Sequence, residues 1–322
     1  MTPRPTPAVD SPAPAAALDL QPEVAAALAH GRAVVALEST IITHGMPWPD
    51  NLSTARDVEG VVRAHGAVPA TIALVDGRIR IGLDDAALTR LASSEGVAKA
   101  SRRDLPALVA AGRSAGTTVA ATMYLAHLAG IPIFATGGIG GVHRGAEHTF
   151  DISADLDELG STPVTVVCAG AKSILDLPKT LEVLETRGVP VVGIGTDEFP
   201  AFFSRTSGLP VDHRVAGPEE LAAVLAAHRS LGMRGGILVA NPIPAEDALD
   251  GSDIEARVDE AVADAERLGI SRKDVTPYLL GRINELTEGR SLVANIALIR
   301  NNAALAARTA VAFAALVPAA PR

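Results

Sequence analysis

Short apolar runs alternate along the chain with longer amphipathic stretches, and this pattern predicts an α/β fold with a largely buried sheet. Apolar runs of strand length lie at residues 33–37, 70–75, 131–135, 164–168, 190–194 and 236–240. Asp76-Gly77 follows the second run and precedes the sequence RIRIGL, and a two-residue Asp-Gly turn is typical of an antiparallel hairpin. We therefore expect a mixed, mostly parallel sheet.

Helical periodicity fills the intervals between these runs. It predicts helices at residues 22–30, 53–65, 84–93, 118–129, 218–231, 253–268 and 291–316. Ser53 and Asp253 have the side-chain chemistry of helix N-caps. Glycines stand where several of these helices should end: Gly31, Gly66, Gly130 and Gly269. The part after about Asp247 has almost no strand signal, so it is expected to pack as helices on the sheet or on a neighbouring subunit.

No repeat or linker divides the body of the chain, so residues 19–322 are predicted to form a single domain. Residues 1–18 are rich in Pro and Ala without the basic-then-apolar order of a signal peptide, and we expect a disordered tail. Hydrophobic residues make up 48% of the 322 residues but aromatic residues only 3%. The core is therefore expected to consist of Ala, Val, Leu and Ile.

Charge and cysteine content exclude several classes of function. Asp and Glu (37) outnumber Lys and Arg (28), and no basic run occurs, so a nucleic-acid partner is not expected. The single cysteine, Cys168, rules out an intrachain disulfide and a cysteine-based metal cluster, and it is typical of a protein in the reducing cytoplasm. No apolar run approaches the ~18 residues of a membrane span. We expect Cys168 to be a small buried core residue.

The most unusual segment comprises residues 136–155, TGGIGGVHRGAEHTFDISAD, directly after a predicted strand. Ligands of α/β proteins bind beyond the carboxyl ends of strands, which makes Thr136 and its successors a candidate binding loop. The glycines would let backbone amides approach a phosphate, with His143 and Arg144 as further donors. The GGxGG order matches neither the dinucleotide fingerprint nor the P-loop, so an ordinary glycine-rich loop is an equal alternative.

Two carboxylates lie at the end of this segment. Asp151 and Asp155 are four residues apart and would share one face of a helix. One could hold a hydrated divalent metal ion while the other binds a sugar hydroxyl. Acidic residues also favour helix N-termini for electrostatic reasons, and from the spacing alone this second explanation is the stronger one.

Glu38 ends the first predicted central strand and is followed by STIITHG. A carboxyl group at the tip of a buried strand is partly desolvated, which raises its pKa and suits a general acid. It could equally cap the next loop. His44 lies nearby, but a single loop histidine is more often structural.

Two lysines stand among apolar and small residues. Lys172 follows the strand VTVVC, and desolvation there would favour the neutral amine, a nucleophile toward carbonyl carbon. Lys99 lies in VAKASRRD, with Arg102 and Arg103 as candidate phosphate ligands; a solvated strand end is the alternative for Lys99.

Four asparagines follow the last predicted central strand or lie in the last helix: Asn241, Asn295, Asn301 and Asn302. Their amides could read the edge of a base, or they could cap loops and helices.

Taken in order along the chain, these segments resemble the pseudouridine-5'-phosphate glycosidase family. The resemblance covers residues from about 20 to 310. It is carried by VALESTIITHGMPWPDN, GAVPATIAL, SRRDLP, ATGGIGGVHRGAEHTFDISADL, VCAGAKSILDL, PAFFSRTSG, ANPIP and SLVANIALIRNNA.

The resemblance implies reversible cleavage of the C–C glycosidic bond of pseudouridine 5'-phosphate to uracil and ribose 5-phosphate. It also implies a homotrimer, a three-layer α/β/α sandwich around a mixed sheet, and Mn²⁺ or a similar divalent cation as cofactor. Glu38 in LEST matches the family's proton donor, Lys172 in AGAKS its nucleophile and Asp151 in HTFDISAD its metal ligand. The positions that match or supplement its substrate contacts are Lys99, Val119, Thr136, His143, Ser153, Ala154, Asp155 and Asn295.

The residues alone leave two other functions open. A Schiff-base aldolase acting on a sugar phosphate would use the same lysine but need no base pocket. A metabolite-binding regulator would use the glycine-rich loop but leave Glu38 and Lys172 unexplained. Breaking a C-glycoside needs an acid and an electron sink together, and a glutamate with an imine-forming lysine supplies both.

Overall fold

The computed structural model describes residues 18–270 and 275–317. The predicted tail, residues 1–18, lies outside this part except for Leu18. The described strands are β1 Leu18–Leu20, β2 Val34–Leu37, β3 Val68–Val75, β4 Arg78–Ile81, β5 Ala98–Ala100, β6 Ala115–Thr117, β7 Ile133–Ala135, β8 Thr165–Cys168, β9 Val191–Ile194, β10 His213–Val215 and β11 Ile237–Ala240.

The described helices alternate with these strands. They are α1 Pro22–Ala29, α2 Asp50–Ala64, α3 Asp85–Ser93, α4 Leu105–Ala110, α5 Val119–Ala129, α6 Ala146–Thr149, α7 Ala154–Ser161, α8 Leu177–Thr186, α9 Pro218–Ser230, α10 Gly251–Arg267, α11 Val275–Leu286 and α12 Arg290–Leu316. A short π-helix, Ile41–Gly45, follows β2. In the described part of the chain, no helix is both long and apolar enough to cross a membrane.

The strands form one mixed sheet in the order β1-β4-β3-β2-β7-β8-β11-β9-β10. From β3 to β10 every neighbouring pair is parallel, whereas β3 and β4 form the antiparallel hairpin predicted at Asp76-Gly77. The second half of β3 also pairs antiparallel with β6, and β6 pairs parallel with β5. The mixed, mostly parallel sheet is therefore confirmed.

Helices cover both faces of this sheet, as a three-layer sandwich requires. The long helix α12 packs on β2, β7 and β8 between α2 and α9, so the predicted packing on the sheet is confirmed for this C-terminal helix. Helix α5 packs against α7. The core consists mainly of Ala, Val, Leu and Ile, and Cys168 is fully buried in it, where burial raises the pKa of the thiol to about 12.

The two proposed N-caps were wrong. Helix α2 begins at Asp50, so Ser53 lies inside it and its hydroxyl donates to the Asp50 carbonyl at 3.0 Å. Helix α10 is capped by Asp250, whose carboxylate accepts from the amides of Ser252 and Asp253. In both regions the helix begins two or three residues before the side chain that was predicted to cap it.

Four short strands and several helices were not predicted from the sequence. Strands β1, β5, β6 and β10 have three residues each, too few to show an alternation. Helices α4, α6, α7, α8 and α11 were also not predicted. Helix α7 begins at the end of the segment that we interpreted as a glycine-rich loop, and its N-cap, Ser153, accepts from the amide of Asp155.

Candidate active site

The candidate site lies beyond the carboxyl ends of three adjacent strands. Glu38 follows β2, Thr136 follows β7, and Lys172 comes four residues after the end of β8. Because β2, β7 and β8 are parallel neighbours, their carboxyl ends lie at the same edge of the sheet. The three side chains line a single cavity of about 790 Å³. This position is the usual location of ligands in open α/β sheets.

Glu38 is held at the floor of the cavity by Thr136, whose buried hydroxyl donates to Oε1 of the carboxylate. Burial raises the pKa of Glu38, and this effect outweighs the charge of Lys172 and the Thr136 hydrogen bond, which both lower it. The carboxyl group therefore retains its proton closer to neutral pH than an exposed glutamate does. Its position in the cavity and its raised pKa are both what a general acid requires.

Lys172 follows β8, which lies on the other side of β7 from β2. Its Nζ donates to the carbonyl of Gly138 at 2.8 Å, and its backbone amide donates to the carbonyl of Ile139 at 3.1 Å. The segment after β7 and the segment after β8 are therefore tied together directly at the lysine. The half-buried amine faces the same cavity as Glu38.

The structure brings the other sequence-predicted residues to this cavity as well. The cavity wall includes Lys99, Val119, Thr136, His143, Asp151, Ser153, Ala154, Asp155 and Asn295. Lys99 arrives on β5, which pairs with β6 next to the start of α5. Asn295 is contributed by the long helix α12.

The glycines are explained by close packing. A Cβ atom at Gly140 would lie 2.3 Å from Oγ of Ser153, and one at Gly138 would lie 2.7 Å from the ring of Phe202. The amide of Gly140 already donates to Asp155 at 2.8 Å, and the amide of Ile139 donates to the carbonyl of Gly170. The structure thus favours the ordinary glycine-rich loop over a cradle of free amides.

Asp155 and Asp151 do not share a helix face, contrary to the spacing argument. Asp155 lies in the first turn of α7 and is buried, and its two carboxylate oxygens accept from the amides of Ala120 and Gly140. It thereby joins the start of α5 to the glycine-rich loop. Asp151 precedes the helix and its side chain is exposed at the cavity.

Two of the candidate phosphate donors, Arg102 and Arg144, form ion pairs within the fold. Arg102 pairs with the buried Glu158 at 2.9 Å and stacks over the ring of Tyr124, while the other arginine of the pair, Arg103, does line the cavity. Arg144 pairs with Glu255 and Asp259 of α10.

The asparagines divide in the same way. Asn302 is fully buried and donates to the carbonyl of Thr136 at 2.8 Å, and Asn241 donates to the Asn302 oxygen at 2.9 Å. Asn301 donates to the carbonyl of Pro242. Of the four asparagines, Asn295 belongs to the cavity wall, whereas the others hold the loops around it.

Two histidines in the cavity wall are electrostatically linked to its charged residues. Burial lowers the pKa of His143, Asp151 opposes this shift, and the charges of Lys172 and Lys99 add to it. Burial and the charge of Lys99 also lower the pKa of His44. His44 lies in the π-helix and its Nδ1 is 2.6 Å from the Thr43 hydroxyl. Sequence analysis had favoured a structural role for it.

Several residues of the cavity wall were not predicted from the sequence. They are Thr40, Ser101, Thr118 and, from α11, Thr276, Pro277 and Leu280. The Thr40 hydroxyl is buried and makes no hydrogen bond within the described residues. The residues of α11 carry no local signal, because only the folding of the C-terminal helices over the sheet brings them to the site.

No group of three or more His, Cys, Asp or Glu side chains that could enclose a metal ion occurs in the described part of the chain. A metal site built from protein ligands alone does not fit these residues. A hydrated cation fits better, because Mg²⁺ and similar ions keep several waters and need only one or two carboxylates. Asp151, exposed at the cavity next to His143, is such a carboxylate.

Comparison with known proteins finds relatives over most of the chain. The family described as indigoidine synthase A like protein matches residues 23–312. The pseudouridine-5'-phosphate glycosidase of Sorangium cellulosum is 64% identical over 93% of this chain and 94% of the relative. The pseudouridine-5'-phosphate glycosidase of Staphylococcus aureus is 59% identical over 90% of this chain and 94% of the relative.

Two solved structures share the fold. The prealnumycin C-glycosynthase AlnA in complex with ribulose 5-phosphate has a TM-score of 0.87 and 41% identity, covering 94% of this chain and 99% of AlnA. An indigoidine synthase A-like protein of Thermotoga maritima has a TM-score of 0.86 and 35% identity, covering 95% of this chain and 99% of that protein. The similarity therefore extends over nearly all of the described fold.

Proposed function

The chain belongs to the indigoidine synthase A-like family together with these pseudouridine-5'-phosphate glycosidases, and from this premise we propose that it cleaves the C-glycosidic bond of pseudouridine 5'-phosphate. The products are uracil and ribose 5-phosphate. One observation carries the proposal beyond the names of the relatives: a half-buried acid, Glu38, and a lysine, Lys172, face one cavity from strand ends flanking β7.

Lys172 serves as the nucleophile in this proposal. The ribose ring opens when the bond between C1 and the ring oxygen breaks: the electron pair stays on the ring oxygen, which takes up a proton, and the uracil ring shares the positive charge left at C1. The Lys172 amine then adds to C1, which still carries uracil, and releases a proton. When the bond between C1 and C5 of uracil breaks, its electron pair stays on C5, and an iminium forms between Nζ and C1. Water then hydrolyses the iminium to the C1 aldehyde of ribose 5-phosphate and the lysine ammonium.

Glu38 serves as the general acid. Its proton passes to C5 of uracil as the C–C bond breaks, and the ring carbonyls of uracil share the developing charge. The raised pKa of the carboxyl supports this role, because a larger fraction of Glu38 is protonated near neutral pH.

Substrate binding falls to the rest of the cavity wall. Lys99 and Arg103 supply positive charge, which a phosphate requires, and Val119, Ser153, Ala154 and Asp155 form the adjoining wall. Thr136, His143 and Asn295 supply hydrogen-bonding groups for the base and the sugar. A divalent cation such as Mn²⁺ held by Asp151 would add positive charge where the anionic substrate binds. The homotrimer and the cytoplasmic location stay predictions from the sequence.

The proposal predicts stoichiometric release of uracil and ribose 5-phosphate when the protein is incubated with pseudouridine 5'-phosphate and Mn²⁺. Uracil is followed by its absorbance or by chromatography. Unphosphorylated pseudouridine should be a much poorer substrate, because the phosphate holds the reacting carbon in place without reacting itself. Cleavage of a sugar phosphate without release of any base would instead identify an aldolase, and the absence of turnover on either substrate would indicate a binding protein.

The metal assignment predicts loss of activity on chelation. Exhaustive treatment with a chelator should remove most activity and added Mn²⁺ should restore it, whereas Asp151→Ala should not respond to Mn²⁺. Because the Asp151 side chain is exposed, its loss should leave the unfolding temperature nearly unchanged. An Asp151→Ala enzyme as active as the parent would make this residue an ordinary acidic group before a helix.

A further inference from the structure

A second, smaller cavity lies against Glu38 on the side of helix α2. Its volume is about 30 Å³, and its polar wall includes Glu38, Thr136, Thr54 and Thr71. A cavity of this size holds about one water molecule when several polar groups can bond to it. Glu38 and Thr136 line both cavities, so the carboxyl group stands between the large cavity and the small one.

Thr71 connects the small cavity to a second carboxyl group. Its hydroxyl is buried on β3 and donates to Oε1 of Glu59 at 2.5 Å. Glu59 lies on α2 and is only half-buried, so it is accessible to solvent while remaining bonded to Thr71. No part of the catalytic scheme above uses either residue.

The surroundings of Glu59 favour a carboxyl group that holds its proton to higher pH than an exposed glutamate does. Burial raises the pKa of this carboxyl, and the nearby charges of Glu23 and Asp85 act in the same direction. The hydrogen bond from Thr71 and the charge of Arg63 oppose the shift without cancelling it.

We propose that Glu59, Thr71 and one water in the small cavity form a proton relay that reprotonates Glu38 while the sugar phosphate still occupies the large cavity. The inference rests on the proposed role of Glu38 as the acid that protonates uracil. After that step Glu38 is a carboxylate. Protonated Glu59 passes its proton to the Thr71 hydroxyl, which passes its own to the water, and the water passes one to Glu38. Solvent then reprotonates Glu59, so each group ends as it began.

A competing route would return the proton through the large cavity. The hydrolysis of the iminium leaves Lys172 as an ammonium, and this group could supply Glu38 directly. The two routes differ in their dependence on Thr71 and Glu59, which the direct route does not involve. They also differ in timing, because the relay can act as soon as uracil has formed, whereas the ammonium forms only after the iminium is hydrolysed.

The experiment compares the first turnover with later ones in Glu59→Gln, Thr71→Val and Thr71→Ser. In rapid-quench measurements with enzyme in excess, the rate of the first uracil release should match the parent in all three, since the relay is needed only after Glu38 has given up its proton. In the steady state Glu59→Gln and Thr71→Val should be slowed at least about 10²-fold, the lower end of the range that a positioned acid or base contributes. With substrate in excess they should therefore show a burst of one uracil per site. Thr71→Ser keeps the hydroxyl and should retain parental rates.

Several results would overturn the relay. Parental steady-state rates in Thr71→Val and Glu59→Gln would favour direct return from Lys172. An equal slowing of the first turnover would indicate that these residues only support the position of Glu38, and so would a slow Thr71→Ser enzyme. If the parent protein releases no uracil at all, the proposed function itself fails, and this outcome is seen before any variant is made.

Discussion

Replacing Lys172 by alanine is expected to reduce uracil release at least about 10³-fold, the scale on which loss of a covalent nucleophile acts in other enzymes. The side chain is half-buried and its amine donates a hydrogen bond to the Gly138 carbonyl, so the variant should keep its fold. The loss follows from chemistry, because without the amine no iminium can accept the electrons of the breaking C–C bond. Steady-state kinetics and circular dichroism check the two parts of this prediction.

The covalent intermediate offers a direct test of the same residue. Ribose 5-phosphate and borohydride should add one sugar phosphate to the peptide that contains Lys172, and the adduct should be missing from Lys172→Ala. Lys179→Ala is a matched control, since Lys179 is an exposed lysine that pairs with Glu147 and Asp176 away from the cavity. It should retain both adduct and activity. An adduct mapped to Lys99, or an active enzyme that never forms one, would remove the nucleophilic role from Lys172.

Glu38→Gln is expected to separate the two halves of the reaction. Glutamine keeps the size of the side chain but has no acidic proton, so protonation of uracil C5 should slow by about 10²–10⁴-fold. Formation of the lysine adduct from ribose 5-phosphate does not require this proton and should persist. Glu182→Gln on the exposed surface of α8 is a control for the same chemical change. Loss of the adduct together with turnover in Glu38→Gln would assign Glu38 to the architecture of the site.

The pH dependence follows from the raised pKa of Glu38. A general acid works in its protonated form, so the activity that depends on it is present below its pKa in the folded protein and is lost as the pH rises through that value. Burial moves this loss upward from the range of an ordinary glutamate toward neutral pH. The parent should show this descending limb of kcat against pH, and the residual activity of Glu38→Gln should lack it.

The hydrophobic pattern of the sequence was sufficient to predict the central strands of the sheet. The apolar runs marked β2, β3, β7, β8, β9 and β11, because a strand buried on both faces must be apolar at successive positions. The Asp-Gly turn marked the β3–β4 hairpin, since few other residue pairs adopt its backbone conformation easily. The motifs that resemble known glycosidases also placed Glu38 and Lys172 in the site.

Only the tertiary structure decided how these residues meet. Glu38 and Lys172 are far apart in sequence, and they share a cavity because β2, β7 and β8 are parallel neighbours, which depends on the strand order of the whole sheet. The same holds for Asp155, whose carboxylate bonds two distant amides, and for Arg102, whose partner Glu158 lies on α7. Hydrophobic patterning records whether a residue is buried in its own element. It contains no information about which distant element supplies the hydrogen-bond partner, and that choice determines which polar residues are free to meet a substrate.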